Sequence, residues 1–274
     1  MAVEILYSED PDWVLAEAGV FLTSEPVLHN LILSLLHQRV EKPEPGRYWM
    51  AKEGDEVVGV VFQSPLDFFA TVTPMEFEAV SSVVDAIVDA GVTLPGVSGT
   101  AGTAAQFAGQ WTERTKSAAI PLQGLRIYEA ADIQKPANVS GRFRQAGLED
   151  RDLVVEWMRQ FSDEVGQPGT DPASTVDRKL PAGQFWLWDD GGPVSMAGHS
   201  KTVEGVVRVS AVFTPQAKRT HGYAGACVAE LSEQICDRGC RPILYTDLGN
   251  PVSNSIYRRI GYRAVAESLL YKFE

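Results

Sequence analysis

The chain has 274 residues, of which 45% are hydrophobic and 22% charged, with a formal net charge of −12. That length fits one large domain or two of ordinary size, and the composition is that of a globular protein. The acidic balance excludes a general nucleic-acid binder, which needs a basic face. It is compatible with a cationic substrate drawn into an acidic cleft. No apolar run reaches the roughly 20 residues of a membrane-spanning helix. The opening MAVEILYSEDPDW lacks the basic and apolar regions of a signal peptide. A cytoplasmic protein with no membrane and no nucleic-acid partner is expected. Cys227, Cys236 and Cys240 are odd in number and lack a second ligand pair at zinc-site spacing, so free thiols and no metal are expected.

Residues 10 to 40 read as helical, with apolar stripes through Leu15, Val20, Leu28, Leu31, Ile32, Leu35 and Leu36 and a break at Pro26. RYWMAKEGDEVVGVVFQ reads as two strands around a Gly-Asp turn. MEFEAVSSVVDAIVDAG reads as a helix, with Phe77, Val80, Val84, Ile87 and Val88 inward and Gly91 as its cap. A Gly/Ala-rich segment follows, and Pro121 to Gly124 suggest a boundary.

The second half repeats this order. LEDRDLVVEWMRQFSDEVG is an amphipathic helix, QFWLWDDGGPVSMAGHS a strand, turn and strand, and EGVVRVSAVF a valine-rich strand. GYAGACVAELSEQICDRG is a helix, RPILYTD a strand, PVSNSIYRRI a short helix, and YRAVAESLLYKF one or two closing strands. Trp49 and Trp186 are each followed by Gly five residues on and Val eight on. Thr73-Pro74 matches Thr214-Pro215. From that proline to the helix-ending glycine is 17 residues in the first half and 24 in the second. Duplication of one fold with a single active site accounts for this. The expectation is an α/β protein of two halves, 1–124 and 125–274, each a mixed, mostly antiparallel sheet flanked by helices.

The extra material in the second half is KRTHGYAGACVAEL. A strand ends near Phe213, Pro215 stops its ladder, and a helix begins near Gly222 with Ala224, Val228, Leu231 and Ile235 as its apolar stripe. The first-turn N–H groups of such a helix lack intrahelical partners, and with the helix dipole they form an anion receptor. Gly222, Ala224, Gly225 and Ala226 let a ligand approach the backbone, and Arg219 adds a charge-assisted donor. The small residues also suit close packing of a helix on a sheet. Neither G-x-G-x-x-G nor G-x-x-x-x-G-K-[ST] is present. The other glycine-rich run, GVSGTAGTAAQFAG, has no nearby lysine or arginine and is not a G-x-S-x-G elbow. It reads as a packing joint or loop.

RTHGYA resembles the R/Q-x-x-G-x-G/A loop of the GNAT superfamily of N-acetyltransferases, with Ala224 in the last small position. NPVSNSIYRRIGY is similar to the family's later N-x-x-[AS]-x-x-x-Y-x-x-x-G-[FY] segment. The resemblance covers about residues 126 to 274, and the first half looks like a divergent copy, as in tandem-GNAT proteins, without the Arg-x-x-Gly-x-Ala loop. It implies that acetyl-CoA is the co-substrate, with no metal. The pyrophosphate would lie on Arg219, Thr220, His221, Gly222, Tyr223, Ala224 and Gly225. The backbone of Val212, Phe213 and Thr214 would pair with pantetheine as an added strand does. Asn250, Ser253 and Asn254 would approach from the other side, although Asn250 is also a good helix cap.

The implied reaction is direct attack of a primary amine of a small molecule or peptide on the thioester, through a tetrahedral intermediate. Tyr257, three and four residues beyond Asn254 and Ser253 and so on their helix face, corresponds to the family's general acid. With an intrinsic pKa of about 10 it is protonated at neutral pH; its ring can equally serve as a helix anchor. Many members carry a glutamate on the strand before the loop, but VVRVSAVF has none. Candidates for the base are Glu164, His199 and Glu204, with Asp163 and Asp247 behind them; a water relay or an already neutral amine makes a dedicated base unnecessary. Two rivals stand at this point: a non-catalytic CoA-binding sensor or scaffold, and an acyltransferase using another acyl chain or a hydroxyl acceptor. The acceptor and the oligomeric state are open.

Overall fold

In a computed structural model, the structure describes residues 2–166 and 171–274. The chain divides into two compact units. The first comprises Met1–Ile127, Asp247–Gly249 and Val265–Glu274, and the second Tyr128–Thr246 and Asn250–Ala264.

The first unit runs β1 (Val3–Ser8), α1 (Pro11–Ser24), α2 (Asn30–Glu41), β2 (Arg47–Glu53), β3 (Glu56–Gln63), β4 (Ala70–Val72), α3 (Phe77–Asp89), β5 (Gly96–Thr100), α4 (Ala101–Thr115) and most of β6 (Ala119–Ala130). Asp10 starts α1 by accepting the Asp12 N–H at 2.9 Å, ahead of Pro11 in the first turn. The strands lie in the order β1-β2-β3-β4-β5, antiparallel except for the parallel pair β4/β5. The α3 side chains Val80, Val83, Val84 and Ile87 pack with Trp49, Val97, Phe107 and Trp111 into the core. Two members of the expected stripes, Val20 and Phe77, face solvent instead. Val83 takes the inward place beside Val84.

The second unit runs β7 (Arg142–Gln145), α5 (Arg151–Val165), α6 (Pro172–Lys179), β8 (Phe185–Asp189), β9 (Pro193–His199), β10 (Val206–Phe213), α7 (Tyr223–Asp237), β11 (Arg241–Asp247), α8 (Pro251–Arg259) and the start of β12 (Tyr262–Phe273). Its strands lie in the order β7-β8-β9-β10-β11, antiparallel except for the parallel pair β10/β11. Both units thus repeat one order of elements on one sheet topology, each mixed, mostly antiparallel and flanked by helices. The core of the second unit lies on two faces of its sheet. Val207, Val209 and Leu244 pack with α7 on one, and Phe185, Met196 and Phe213 with α5 and α6 on the other.

Pro121 and Gly124, expected at a boundary, lie inside β6. The closing stretch YRAVAESLLYKF is one strand, and its end belongs to the first unit: Ser268 to Lys272 pair antiparallel with Thr100 to Gly96 of β5. Neither unit is therefore one continuous segment. The thiols of Cys227, Cys236 and Cys240 are free. No helix among the described residues is long and apolar enough to cross a membrane.

Candidate active site

The site begins with a fault in β10. Its pairing with β9 runs Val209↔His199 and Ser210↔Gly198, then shifts to Phe213↔Met196. Ala211 carries the extra residue of the bulge in a left-handed conformation, φ +51°. The bulge reverses the side-chain faces. Val207 and Val209 lie on the α7 side, whereas Ala211 and Phe213, of the same parity, lie on the α5/α6 side. On the other edge, the parallel pairing with β11 runs from Val206↔Arg241 to Val209↔Leu244 and stops there. Both strands continue, to Phe213 and Asp247. The sheet of the second unit therefore splits between β10 and β11 just where the bulge sits. Ser195 fixes the far end of β10: its Oγ lies 3.1 Å from the Phe213 carbonyl and 2.8 Å from Thr214 Oγ1.

The loop from Thr214 to Gly222 opens with one 3₁₀ turn, Gln216–Lys218. Arg219 ties it back, its Nε donating to the Thr214 carbonyl at 2.9 Å. Its Nη2 meets Glu164 Oε1 at 2.5 Å in an ion pair half open to solvent. Thr220 and Gly222 take φ of +70° and +83°. Glycine accepts that conformation without penalty, and a Cβ at 222 would also lie 3.1 Å from Val139. At Gly225 an added Cβ would meet Ile256, Pro136 and Ile260 at 3.5–3.7 Å, ordinary contact; packing alone does not require glycine there. Helix α7 then begins without a side-chain cap and without an acidic residue in its first turn. Its first backbone bond is Ala226 N–H to the Gly222 carbonyl, 3.0 Å, so the preceding amides have no intrahelical acceptor.

One anchor of this loop escaped sequence reasoning. Asp190 Oδ2 accepts from the Tyr223 hydroxyl at 2.6 Å and from Ser140 Oγ at 2.7 Å. The hydrogen bonds hold the Asp190 carboxyl below its ordinary pKa, and the carboxylate pushes that of Tyr223 up. The contact joins residues 33 positions apart through the WDDGG turn, and no local pattern announces it.

Helix α8 carries the second motif. Asn250 Oδ1 caps it by accepting the Ser253 N–H at 3.0 Å. Asn254 is turned inward: its Nδ2 donates to the Asn250 carbonyl at 2.7 Å and its Oδ1 accepts from Tyr128 at 3.0 Å. Both amides are thus engaged in holding the helix, and Ser253 is half-buried beside them. Tyr257 packs its ring between Tyr128 and Tyr262, at centroid distances of 6.3 and 6.2 Å. Burial pushes its pKa up to about 12, and no hydrogen bond contributes. Ring anchor and protonated hydroxyl therefore coexist in one residue.

The candidate bases scatter. Glu204 forms the tip of the β9/β10 hairpin, φ +48°. With a rise of about 3.3 Å per residue, it stands roughly 30 Å along the strand from Phe213. His199 pairs with Val209 but is half-buried near Arg238, beyond the C-terminal end of α7; burial and the cations Arg238 and Lys179 lower its pKa. Gly222 stands at the other end of that helix, about 22 Å away for 15 residues. Glu164 reaches the loop, but as the counter-ion of Arg219. Asp163 pairs with Arg159 at 3.1 Å, and Asp247 accepts the Gly249 N–H. None of these contacts sets a candidate carboxylate against Tyr257 or the bulge. Nor, among the described residues, do three His, Cys, Asp or Glu side chains gather to hold a metal.

Comparison with known proteins bears on the fold. Residues 191–270 match the family model described as FR47-like protein. A GNAT-family acetyltransferase from Colwellia psychrerythraea superposes with a TM-score of 0.63 at 12% identity, covering 99% of this chain and 100% of that one. A GCN5-related N-acetyltransferase from Sphaerobacter thermophilus gives 0.62 at 16%, covering 97% and 94%. A tandem GNAT protein from the clavulanic acid biosynthesis pathway gives 0.57 at 10%, covering 98% and 97%. No curated protein matches. The fold is that of the GNAT proteins in tandem arrangement.

Proposed function

We propose that the second unit binds acetyl-CoA and transfers its acetyl group to a primary amine of a small molecule or peptide. The observation that carries this reading is the split between β10 and β11 beside an uncapped helix start. A strand-like ligand fits the open edge from Ser210 to Phe213, where backbone groups have lost their β11 partners. A pyrophosphate at its end fits the first-turn amides of α7, with Arg219 donating from the loop. Val212, Phe213 and Thr214 supply the edge, and Thr220 to Gly225 the phosphate cradle. Asn250, Ser253 and Asn254 support the cleft through α8 rather than by free amide groups.

In the transfer itself the amine nitrogen bonds to the thioester carbon, the C–S bond breaks, and the leaving sulfur takes a proton. Tyr257 is the proposed donor. A hydroxyl held at about 12 stays protonated throughout the working pH range. Backbone N–H groups at the bulge suit the developing oxyanion. The amine arrives neutral or gives its proton to water, since the candidate bases lie elsewhere. That same dispersal favours the second reading, a CoA-binding protein without turnover.

Thermal unfolding with CoA and acetyl-CoA, for the wild type and Arg219→Glu, tests binding. A ligand at about 100 times its dissociation constant stabilises by about 2.7 kcal/mol, and the charge reversal removes the shift. A wild type that does not respond at millimolar cofactor refutes both readings. A response without acyl transfer to any of a panel of amines selects the second.

A further inference from the structure

Asp190 joins the turn between β8 and β9 to the first residue of α7. Its Oδ2 accepts from the Tyr223 hydroxyl at 2.6 Å and from Ser140 Oγ at 2.7 Å. The turn that carries it is itself fixed. Gly192 N–H donates to Asp189 Oδ1 at 3.1 Å, and the Asp190 N–H to the Gly192 carbonyl at 2.8 Å. Arg144 donates to Asp189 Oδ2 at 3.1 Å and to the two oxygens of Asp150 at 2.6 and 2.8 Å. Trp188 Nε1 donates to the Ser140 carbonyl at 2.7 Å, so the second donor to Asp190 is held in place as well. On the side of the helix, the buried Tyr223 ring stacks on His221, with centroids 5.4 Å apart and planes at 9°.

Tyr223 opens α7, and its backbone N–H, with those of Ala224 and Gly225, precedes the first helical bond. The side chain that Asp190 holds and the amide that opens the anion receptor thus belong to one residue. The loop before it needs such a hold. Thr220, a β-branched residue, sits at φ +70°, a conformation that persists only where surrounding contacts impose it. Arg219 ties the front of the loop to Thr214; Asp190 ties the rear. The first repeat has no such tie. Glu53 stands in the place of Asp190, one residue before the turn glycine, but α3 begins with Phe77, which has no hydroxyl to donate and is 55% exposed. Tyr223, in the same place on α7, is 8% exposed. Of these two helix starts, the one without an acid in its first turn is the one tied down.

We infer that Asp190 is a positioning residue for the cofactor: through the Tyr223 hydroxyl it holds the first-turn amides of α7 in the arrangement a pyrophosphate needs. The identity of the ligand rests on the transferase reading; the hold on the amides does not. Asp190 acts through Tyr223 and takes no part in the transfer. As an acid beside a phosphate cradle it also repels the ligand, so its position and its charge work in opposite directions. Asparagine separates the two, since it keeps an oxygen for the Tyr223 hydroxyl and drops the charge.

The tie and the transferase reading can fail separately. The first arm uses the free protein. Backbone ¹⁵N order parameters at Thr220 to Gly225 should be those of rigid backbone in the wild type, about 0.85, and should fall towards about 0.6 in Tyr223→Phe and Asp190→Ala. Asp190→Asn should keep the wild-type values. Tyr223→Phe removes one oxygen and leaves the buried ring, so the fold is not at stake. Unchanged order in Tyr223→Phe and Asp190→Ala overturns the positioning role. The second arm titrates CoA. Each of these two variants should weaken binding about 10-fold, the scale of one hydrogen bond to a charged group. The double variant should bind like either single one, because both remove the same contact. Asp190→Asn should stay within about twofold of the wild type. With an amine that accepts acetyl, KM for acetyl-CoA should rise by the same factor while kcat stays within about twofold. Losses that multiply in the double variant, or a mobile loop that binds CoA as tightly as the wild type, overturn the role in cofactor binding. A wild type that ignores CoA but loses loop order in Tyr223→Phe removes the cofactor and leaves the tie standing.

Discussion

Strands β4 and β10 occupy the same place in the two repeats, yet they end in opposite ways. Each residue of β4, Ala70 to Val72, pairs with β5. Gly99 lets the two strands close up, since a Cβ there would lie 2.8 Å from the Val72 carbonyl oxygen. β10 instead bulges at Ala211 and parts from β11 after Val209. The helices that follow differ as well. α3 starts five residues after β4 ends, behind Glu76 as its cap and with Glu78 in its first turn. α7 starts after the Arg219 loop with no acid in its first turn. Tyr257 lies seven residues beyond the cap of α8; the seventh beyond the cap of α4 is Phe107, fully buried. One repeat has a closed sheet, an acidic helix start and no hydroxyl; the other has an open edge, an uncapped helix start without an acid, and a tyrosine. A duplicated fold keeps its core in both copies but needs only one site.

The largest effect should follow from spoiling the open copy. Gly222→Val puts a β-branched residue at φ +83°, at a cost of about 1–3 kcal/mol. It should abolish the thermal response to CoA because the first-turn amides move. A variant that unfolds earlier yet keeps the full CoA shift would sever the loop from cofactor binding. Next, Tyr257→Phe gives the second unit the residue of the first. The hydroxyl makes no hydrogen bond among the described residues, so CoA binding should persist and turnover should fall by about 100-fold, typical of a lost general acid. Unchanged kcat would leave Tyr257 as a ring anchor only. The same variant reports on pH. A folded pKa near 12 against about 10 unfolded means full stability below pH 10 and loss as pH rises towards 12. Tyr257→Phe should remove about 2–3 kcal/mol of that loss, seen in melting curves between pH 9 and 12.

The closed copy can be tested from the other side. Gly99→Ala drives a Cβ into Val72, and overpacking of this kind costs about 1–3 kcal/mol. The melting temperature should fall while the CoA-dependent increment stays the same. A lost increment would mean that the first unit's sheet sets the geometry of the second unit's split.

How much of this was legible depends on whether the cause is local. The loop and the start of α7 could be read because positive φ at residue 222 favours glycine and Pro215 stops the preceding strand. The N-cap at Asn250 and the alternation in β10 were readable for the same reason. The bulge was not, because alanine holds the left-handed position at residue 211, where nothing in the sequence marks it. Nor was the division of β12, whose end pairs with β5 some 170 residues earlier. The surroundings of the candidate bases were hidden for a related reason: charged residues say little about direction until the hairpin at Glu204 and the ion pair at Glu164 are seen.

Glu164 supports the smallest and most discriminating test. In the resting structure its carboxylate occupies the Arg219 guanidinium that a phosphate would use. The pair is half exposed, so in water it is worth no more than about 1 kcal/mol. Binding a pyrophosphate must displace the carboxylate or share the guanidinium with it. Glu164→Gln removes both the competitor and a negative charge beside the cradle. CoA should then bind up to about fivefold more tightly at low salt, the equivalent of that pair energy. The gain should shrink as salt screens the site over about 8 Å at physiological ionic strength. The first unit predicts the contrast: Glu78→Gln at the start of α3 removes an equivalent charge but meets no loop, and should leave CoA affinity unchanged. Weaker CoA binding in Glu164→Gln would mean that the carboxylate orients Arg219 for the ligand rather than competing with it.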